Sequence, residues 1–161
     1  MENKESEFVK SIVFQLNNEE YAMPVNLVGS IERMLPITRV PGMPDFITGV
    51  LNLRGVVTPL IDLRLRFGFE QREHTDATRT IILQYDNMDV GLIVDAAHDV
   101  IDIPRTSIEP TPEAVGSVHI DYIEGVAKYH DRLFIILDID KILSKELLEK
   151  ETISRKEKMV Q

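Results

Sequence analysis

The feature that most constrains this chain is an internal duplication of short, β-type segments. Three pairs of segments carry it: residues 12–18 with 81–87, residues 46–50 with 122–126, and residues 60–63 with 136–139. Two copies at so long a spacing exclude a solenoid, which stacks many short repeats. The sequence therefore predicts two related structural units.

Each unit is predicted to consist of β-strands. Isoleucine and valine stand mostly in runs of about four to eight residues bounded by Gly, Pro, Asn or Asp, a pattern typical of strands. The pairs Asn17-Asn18 and Asp86-Asn87 tolerate a left-handed backbone, so each predicts a β-hairpin. The clearest candidate strands are residues 11–16, 20–24, 56–62, 80–85, 88–94 and 133–138.

The size of the units predicts how they are arranged. A unit of roughly 60 to 70 residues is only marginally stable alone, and the chain has no cysteine to form disulfides. The two units should therefore pack on each other, and closing each sheet into a barrel would remove exposed edges. The predicted fold class is mainly β, with two intimately packed five-stranded barrels at about 8–72 and 78–140; an exchange of strands between them stays open. A groove between the barrels is the expected binding site.

Helical signals are few. Residues 44–47 begin with Pro and Asp and predict a single helical turn, with a counterpart expected within 112–122. Residues 140–150 place aliphatic side chains on one face, which predicts an amphipathic C-terminal helix. Residues 1–7 and 151–161 carry no such pattern and are predicted to be flexible tails.

Charge and hydropathy exclude several classes of partner. The chain has 18 basic and 27 acidic residues, a net charge of −9, so it should repel nucleic acid and anionic lipid. No apolar stretch approaches the roughly 18 residues of a transmembrane helix, and residues 1–7 do not resemble a secretory signal. We expect a cytoplasmic protein that does not insert into the membrane.

Catalytic and metal-binding signals are weak. The sequence contains no phosphate-binding loop, dinucleotide-binding, zinc-protease or serine-hydrolase motif. His98, His119 and the carboxylates Asp138 and Asp140 each have an ionisable neighbour, but none belongs to a complete ligand set. We expect no catalytic residue, no cofactor and no metal; a small metal-dependent hydrolase is the remote alternative.

The most unusual segment is residues 49–64, GVLNLRGVVTPLIDLR. Asn52 and Arg54 alternate through an apolar run, so on an extended strand they would project to the same side. A charge among apolar residues needs a partner or a function. Two interpretations stay open: Arg54 contacts a binding partner, or it forms an internal ion pair with an acid such as Asp62.

Residues 49–64, followed by Phe67-Gly68, resemble the N-L-R-G-x-x-x-P-x-I-D-L-R-x-x-F-G motif of the CheW family of bacterial chemotaxis coupling proteins. The similarity covers most of the chain and includes the segments 14–24, 37–41 and 91–95. The resemblance implies a single CheW-like domain over residues 8–150, built from two SH3-like barrels. It also implies a scaffold rather than an enzyme.

The resemblance implies partners and contact residues as well. Members of the family join the cytoplasmic tip of methyl-accepting chemoreceptors to the regulatory domain of the histidine kinase CheA, in arrays at the inner face of the membrane. The receptor tip lies in the groove between the barrels. Carried over by position, the receptor-binding residues are Val28, Ile31, Asn52, Arg54 and Val56. The kinase-binding residues are Ile37, Val40 and Met43, and the protein is expected to be a monomer in isolation.

One position departs from the family pattern. Ser30 stands where an acidic residue is common, and Glu32, two places further along the same strand face, could supply that charge. A CheW-like scaffold of a receptor-kinase system outside chemotaxis stays open as the alternative function.

Overall fold

The computed structural model describes residues 7–111 and 120–143, which are mainly β-structure. The strands are β1 (Phe8–Leu16), β2 (Glu19–Pro24), β3 (Val28–Arg33), β4 (Ile47–Leu53), β5 (Val56–Asp62), β6 (Arg79–Tyr85), β7 (Met88–Val94), β8 (Ala96–Pro104), β9 (Ile108–Glu109), β10 (Ile123–Tyr129) and β11 (Arg132–Leu137). Two short helices, α1 (Leu63–Arg66) and α2 (Ile139–Ile142), follow β5 and β11. The predicted mainly β fold class is confirmed.

Each of the two sheets takes strands from both halves of the chain. The six-stranded sheet has the order β8-β1-β2-β11-β10-β9, and the five-stranded sheet has the order β3-β6-β7-β5-β4. The central pairs, β2 with β11 and β5 with β7, are parallel. The sheets therefore do not follow the contiguous division at 8–72 and 78–140, because the hairpins β1–β2 and β6–β7 are exchanged between the repeats. Parallel pairs join segments far apart in the chain, so local patterns carry no signal for them.

Four hairpins close with two-residue turns in which both residues have positive φ. They are Asn17-Asn18, Arg54-Gly55, Asp86-Asn87 and His130-Asp131. Such a backbone is that of the type I′ turn, which matches the twist of antiparallel strands. The hairpins predicted at Asn17-Asn18 and Asp86-Asn87 are confirmed.

The largest hydrophobic core lies between the two sheets. It joins Phe14 and Tyr21 of the six-stranded sheet, whose rings stack with centroids 5.6 Å apart, to Leu92 of the five-stranded sheet. Smaller clusters around Phe134 and Leu60 fill the other side of each sheet. The central strands are thus buried on both faces, which explains their uninterrupted apolar runs.

The duplication is visible in the backbone. The Asp62 N–H donates to the Phe46 carbonyl over 2.8 Å, and at the corresponding place Asp138 donates to Tyr122 over 2.9 Å. Both β4–β5 and β10–β11 also shift register just before the glycine of the matching pentapeptides. Gly49 is required there, because a Cβ atom would lie 2.3 Å from the Thr38 carbonyl oxygen.

The helical predictions fall partly on described residues. Residues 44–47 form a single turn closed by a 2.9 Å hydrogen bond from the Ile47 N–H to the Pro44 carbonyl, and Ile120–Tyr122 form a short 3-10 helix. Beyond Leu143 the predicted C-terminal helix lies outside the described residues, as do the tails apart from Glu7. Among the residues described, no helix has the length and apolar character needed to span a membrane.

Candidate protein-binding surfaces

The tip of the β4–β5 hairpin is exposed to solvent. Arg54 is the first turn residue, with φ at 52°, and its side chain is 73% exposed. The Asn52 Oδ1 accepts a 2.9 Å hydrogen bond from the Gly55 N–H and so holds the turn. The predicted extended strand through Asn52 and Arg54 is therefore wrong, because the positive φ reverses the chain at Arg54.

The internal partner of Arg54 is Glu32 of β3 and not Asp62. The Arg54 Nη2 lies 3.5 Å from the Glu32 Oε2, and the Glu32 side chain is 21% exposed. Exposed ion pairs of this kind contribute about 0 to 1 kcal/mol, so the guanidinium stays available to a partner. Glu32 thus supplies a carboxylate on the strand where Ser30 departs from the family pattern.

Asp62 has a structural role at the start of α1. Its carboxylate is buried and accepts a 3.0 Å hydrogen bond from the Arg64 N–H, which caps the helix. Burial raises the pKa of Asp62, and hydrogen bonds from the backbone of Arg64 and Leu65 oppose that rise. A side chain held in this way cannot reach the hairpin tip.

The proposed receptor-binding residues of β3 lie beside the core between the sheets. Val28 pairs with Leu83 and Ile31 pairs with Ile81, and both partners belong to that core. Val28 is half-buried against it, whereas Ile31 is 41% exposed. On the β4–β5 hairpin, Val56 is 47% exposed. Ile31 on β3 and Val56 on this hairpin therefore each present an apolar side chain to solvent.

The three kinase-binding candidates lie on the segment between β3 and β4. Ile37 is half-buried against the cluster around Leu60, and Met43 is half-buried against the core between the sheets. Val40 is also half-buried. Ile37 and Met43 therefore contribute to packing as well as to the surface.

One buried network was missed by sequence reasoning. Arg64, with 8% of its side chain exposed, donates from Nη1 to the Asp95 Oδ2 over 2.7 Å and from Nη2 to the Asn17 Oδ1 over 3.2 Å. The same Asp95 oxygen accepts the Asn17 N–H over 2.9 Å. The network joins α1 and Asp95, which lies between β7 and β8, to the β1–β2 turn of the six-stranded sheet. Its only signal in the sequence was an arginine two residues after the strand-ending Asp62.

The residues of the metal-dependent alternative have other roles or lie elsewhere. Asp138 caps α2 by accepting a 3.2 Å hydrogen bond from the Lys141 N–H, and Asp140 accepts a 2.8 Å hydrogen bond from the Tyr85 hydroxyl. His98 is exposed, and His119 is not among the described residues. Within ranges 7–111 and 120–143, no three metal-ligating side chains come together.

The two sheets, with their exchanged hairpins, exposed apolar side chains and surface ion pairs, define a β domain with surfaces open to protein contacts. The model of the CheW-like domain matches residues 10–147, and the chain belongs to that family. It is 48% identical to the chemotaxis protein CheW of Bacillus subtilis over 85% of this chain and 88% of that protein. It is 37% identical to the chemotaxis protein CheW of Klebsiella aerogenes over 84% of this chain and 81% of that protein. The crystal structure of the scaffolding protein TtCheW from Thermoanaerobacter tengcongensis superposes with a TM-score of 0.80 at 37% identity, covering 86% of this chain and 94% of that one.

Proposed function

We propose that this protein is a chemotaxis adaptor that couples transmembrane chemoreceptors to the histidine kinase CheA. Membership of the CheW-like family and the relatives named as chemotaxis proteins support this role. Its partners are the cytoplasmic receptor tip and the regulatory domain of the kinase. The protein acts in the cytoplasm, where it is recruited to receptor arrays at the inner face of the membrane.

The observation that carries the proposal is the exposed surface of the five-stranded sheet. We call this the receptor surface and define it as Val28, Ile31, Asn52, Arg54 and Val56. Its valine and isoleucine side chains offer apolar contact, and the exposed Arg54 guanidinium offers several directed hydrogen bonds. Protein interfaces combine an apolar centre with such polar anchors, and they need no catalytic group.

The kinase surface is defined as Ile37, Val40 and Met43. Hydrogen bonds of 2.8 Å in both directions between Thr38 and Val50 hold this segment against β4. The segment is therefore ordered before a partner binds, so less conformational entropy is lost on binding. Because the receptor surface and the kinase surface use different segments, both partners can bind at once.

A pairwise binding experiment tests the proposal. Purified receptor-tip and kinase fragments are titrated against the wild-type chain, Arg54→Ala and His130→Ala, the last being the corresponding turn residue of the other repeat. We expect Arg54→Ala to weaken receptor binding several-fold, with kinase binding and the melting temperature nearly unchanged. His130→Ala should leave both affinities unaltered.

Two results would change the assignment. A large loss of stability in Arg54→Ala with normal receptor binding would show that the ion pair to Glu32 is purely structural. Binding only to receptor tips from a signalling system outside chemotaxis would support the alternative scaffold function.

A further inference from the structure

Strands β3 and β6 form a ladder of side-chain pairs on the face that looks toward the six-stranded sheet. The pairs on this face are Val28 with Leu83, Ile31 with Ile81 and Arg33 with Arg79. The first two are apolar: Val28, Leu83 and Ile81 belong to or pack against the core between the sheets, and Ile31 is exposed. The third places two arginines directly opposite each other, and side chains so paired lie about 5 Å apart at Cβ.

Like charges on directly opposite residues destabilise an antiparallel pair, and no described carboxylate forms an ion pair with either arginine. The Arg33 side chain is exposed and makes no hydrogen bond or ion pair with another described residue. Arg79 donates from Nη1 to the carbonyl oxygens of Asp76 and Thr78, over 2.7 and 2.9 Å, and neither acceptor carries a charge. The chain has 27 acidic residues, yet none of those that the structure describes forms an ion pair with Arg33 or Arg79.

Arg33 and Arg79 lie next to the apolar part of the receptor surface. Arg33 follows Ile31 on the same face of β3, so the cationic pair continues the apolar part of the receptor surface. The hydrogen bonds of Arg79 to two backbone carbonyls hold its guanidinium near the sheet, which lowers the entropy lost when it binds a partner. Guanidinium groups bind carboxylates through paired, charge-assisted hydrogen bonds.

We propose that Arg33 and Arg79 together bind an acidic side chain of the receptor tip. This inference rests on the proposed function, because it assigns a charge to the partner that occupies the receptor surface. The apolar pairs contact the body of the tip, and the arginine pair sets its position along β3.

The test compares receptor-fragment affinity at low and high salt for matched variants. We expect the double variant Arg33→Gln with Arg79→Gln to bind about tenfold more weakly at low salt, and the difference to narrow at high salt. Arg33→Gln alone should lose part of the affinity; it removes no side-chain hydrogen bond or ion pair within the described residues and so should fold. The double variant to lysine keeps the charge and should retain most of the binding.

Lys128→Gln is the matched control, since it removes an exposed positive charge from β10 of the other sheet. It should bind the receptor fragment as the wild type does, and all variants should keep their affinity for the kinase fragment. In addition, one Glu→Lys or Asp→Lys substitution in the receptor tip should restore binding to Arg33→Glu.

The outcomes separate this inference from the function on which it rests. If the wild-type chain binds no receptor fragment, the proposed function fails. If the wild type binds and the glutamine double variant matches Lys128→Gln, only the arginine pair is wrongly assigned. A loss confined to kinase binding would also overturn the assignment to the receptor.

Discussion

The hairpins β4–β5 and β10–β11 occupy corresponding places in the duplication, and they hold their arginines differently. Both turns have positive φ at two residues. In β4–β5 the arginine is a turn residue, Arg54, which extends into solvent with one ion pair at 3.5 Å. In β10–β11 the arginine is Arg132, the first residue of the returning strand, and its side chain is 36% exposed. Arg132 lies two residues further along its hairpin than Arg54 does along its own, and this difference changes the contacts that the arginine makes.

Arg132 is held on the surface of the six-stranded sheet. It donates to both carboxylate oxygens of Glu20, over 2.7 and 3.1 Å, and to Asp99 over 3.1 Å, while its guanidinium lies 4.9 Å from the centre of the Phe134 ring. The hydrogen bond to Glu20 is the largest cause of a raised pKa of Arg132. These contacts tie β11 to β2 and β8. The same type of hairpin can thus hold an arginine in several hydrogen bonds or leave it largely exposed with a single ion pair.

The two short helices differ even more in how they hold a charged side chain. Arg64 and Asp140 occupy corresponding positions, and each reaches a hairpin of the other sheet, but Arg64 is buried and Asp140 is exposed. We expect Arg64→Ala to lower the free energy of unfolding by about 3 to 5 kcal/mol, because it leaves the Asp95 carboxylate without its buried partner. Asp140→Ala should cost less than about 1 kcal/mol.

Urea denaturation of both variants measures this difference. Arg64→Lys keeps the charge without the planar fork and should fall between wild type and Arg64→Ala. Equal losses for Arg64→Ala and Asp140→Ala would show that the buried network does not dominate the contact between the sheets.

A second prediction compares the two arginines directly. Arg132→Gln should lower the free energy of unfolding by about 1 to 2 kcal/mol, because two carboxylates lose their shared donor. Arg54→Gln should cost no more than about 0.5 kcal/mol, since its single ion pair is exposed. Urea denaturation at low and high salt provides the measurement; similar losses for the two variants would remove the distinction between them.

A third prediction concerns the turns themselves. Gly55 has φ at 85°, so Gly55→Ala should lower stability by about 1 kcal/mol through backbone strain. Asp131 adopts φ at 62° with a side chain present, and Asp131→Gly should change stability by only a few tenths of a kcal/mol. Thermal unfolding checks both; a loss in Asp131→Gly as large as that in Gly55→Ala would contradict the shared turn geometry.

The smallest effect is expected from pH at the helix caps. Since burial raises the pKa of Asp62, the folded state holds this proton more tightly than the unfolded state. The contribution of Asp62 to stability is therefore full at acid pH and is lost as the pH rises through the folded pKa. Asp62→Asn keeps a capping oxygen and cannot ionise, so the stability of wild type relative to this variant should decline across that range.

Melting temperatures at a series of pH values from about 3 to 7, which spans the ordinary aspartate pKa, give the comparison. Asp138→Asn, at the half-buried cap of α2, is the matched control. A melting temperature of wild type that rises relative to that of Asp62→Asn with increasing pH would contradict the direction of the shift.

Local chemistry made much of the fold predictable. Asn17-Asn18 and Asp86-Asn87 identified two hairpins, because these residue types tolerate positive φ at small cost. The pentapeptides that revealed the duplication carry a register shift at the same place in both repeats, although the sequence did not predict that shift. By contrast, the apolar alternation around Arg54-Gly55 predicts an extended strand, whereas the chain turns there with positive φ at both residues.

The candidate sites depended more on distant contacts. The motif around Arg54 could be recognised in the sequence, but its partner Glu32 could not, since the two belong to strands brought together only by the fold. Arg33 and Arg79 carry no shared motif and become neighbours only through the register of β3 and β6. Such pairs form only when segments distant in the chain pack together, and the spacing of residues in the sequence does not reveal which segments do so.

The sequence by itself determined two duplicated β units, two of their tight turns and the family to which the chain belongs. These follow from backbone preferences and apolar patterning, which act over a few residues at a time. Which hairpin joins which sheet, which arginine is buried and which one stays exposed at a hairpin tip became clear only from the tertiary structure. Those outcomes depend on burying apolar surface between segments distant in the chain. The free energy of that burial depends on how all the segments pack together, so no single segment determines it.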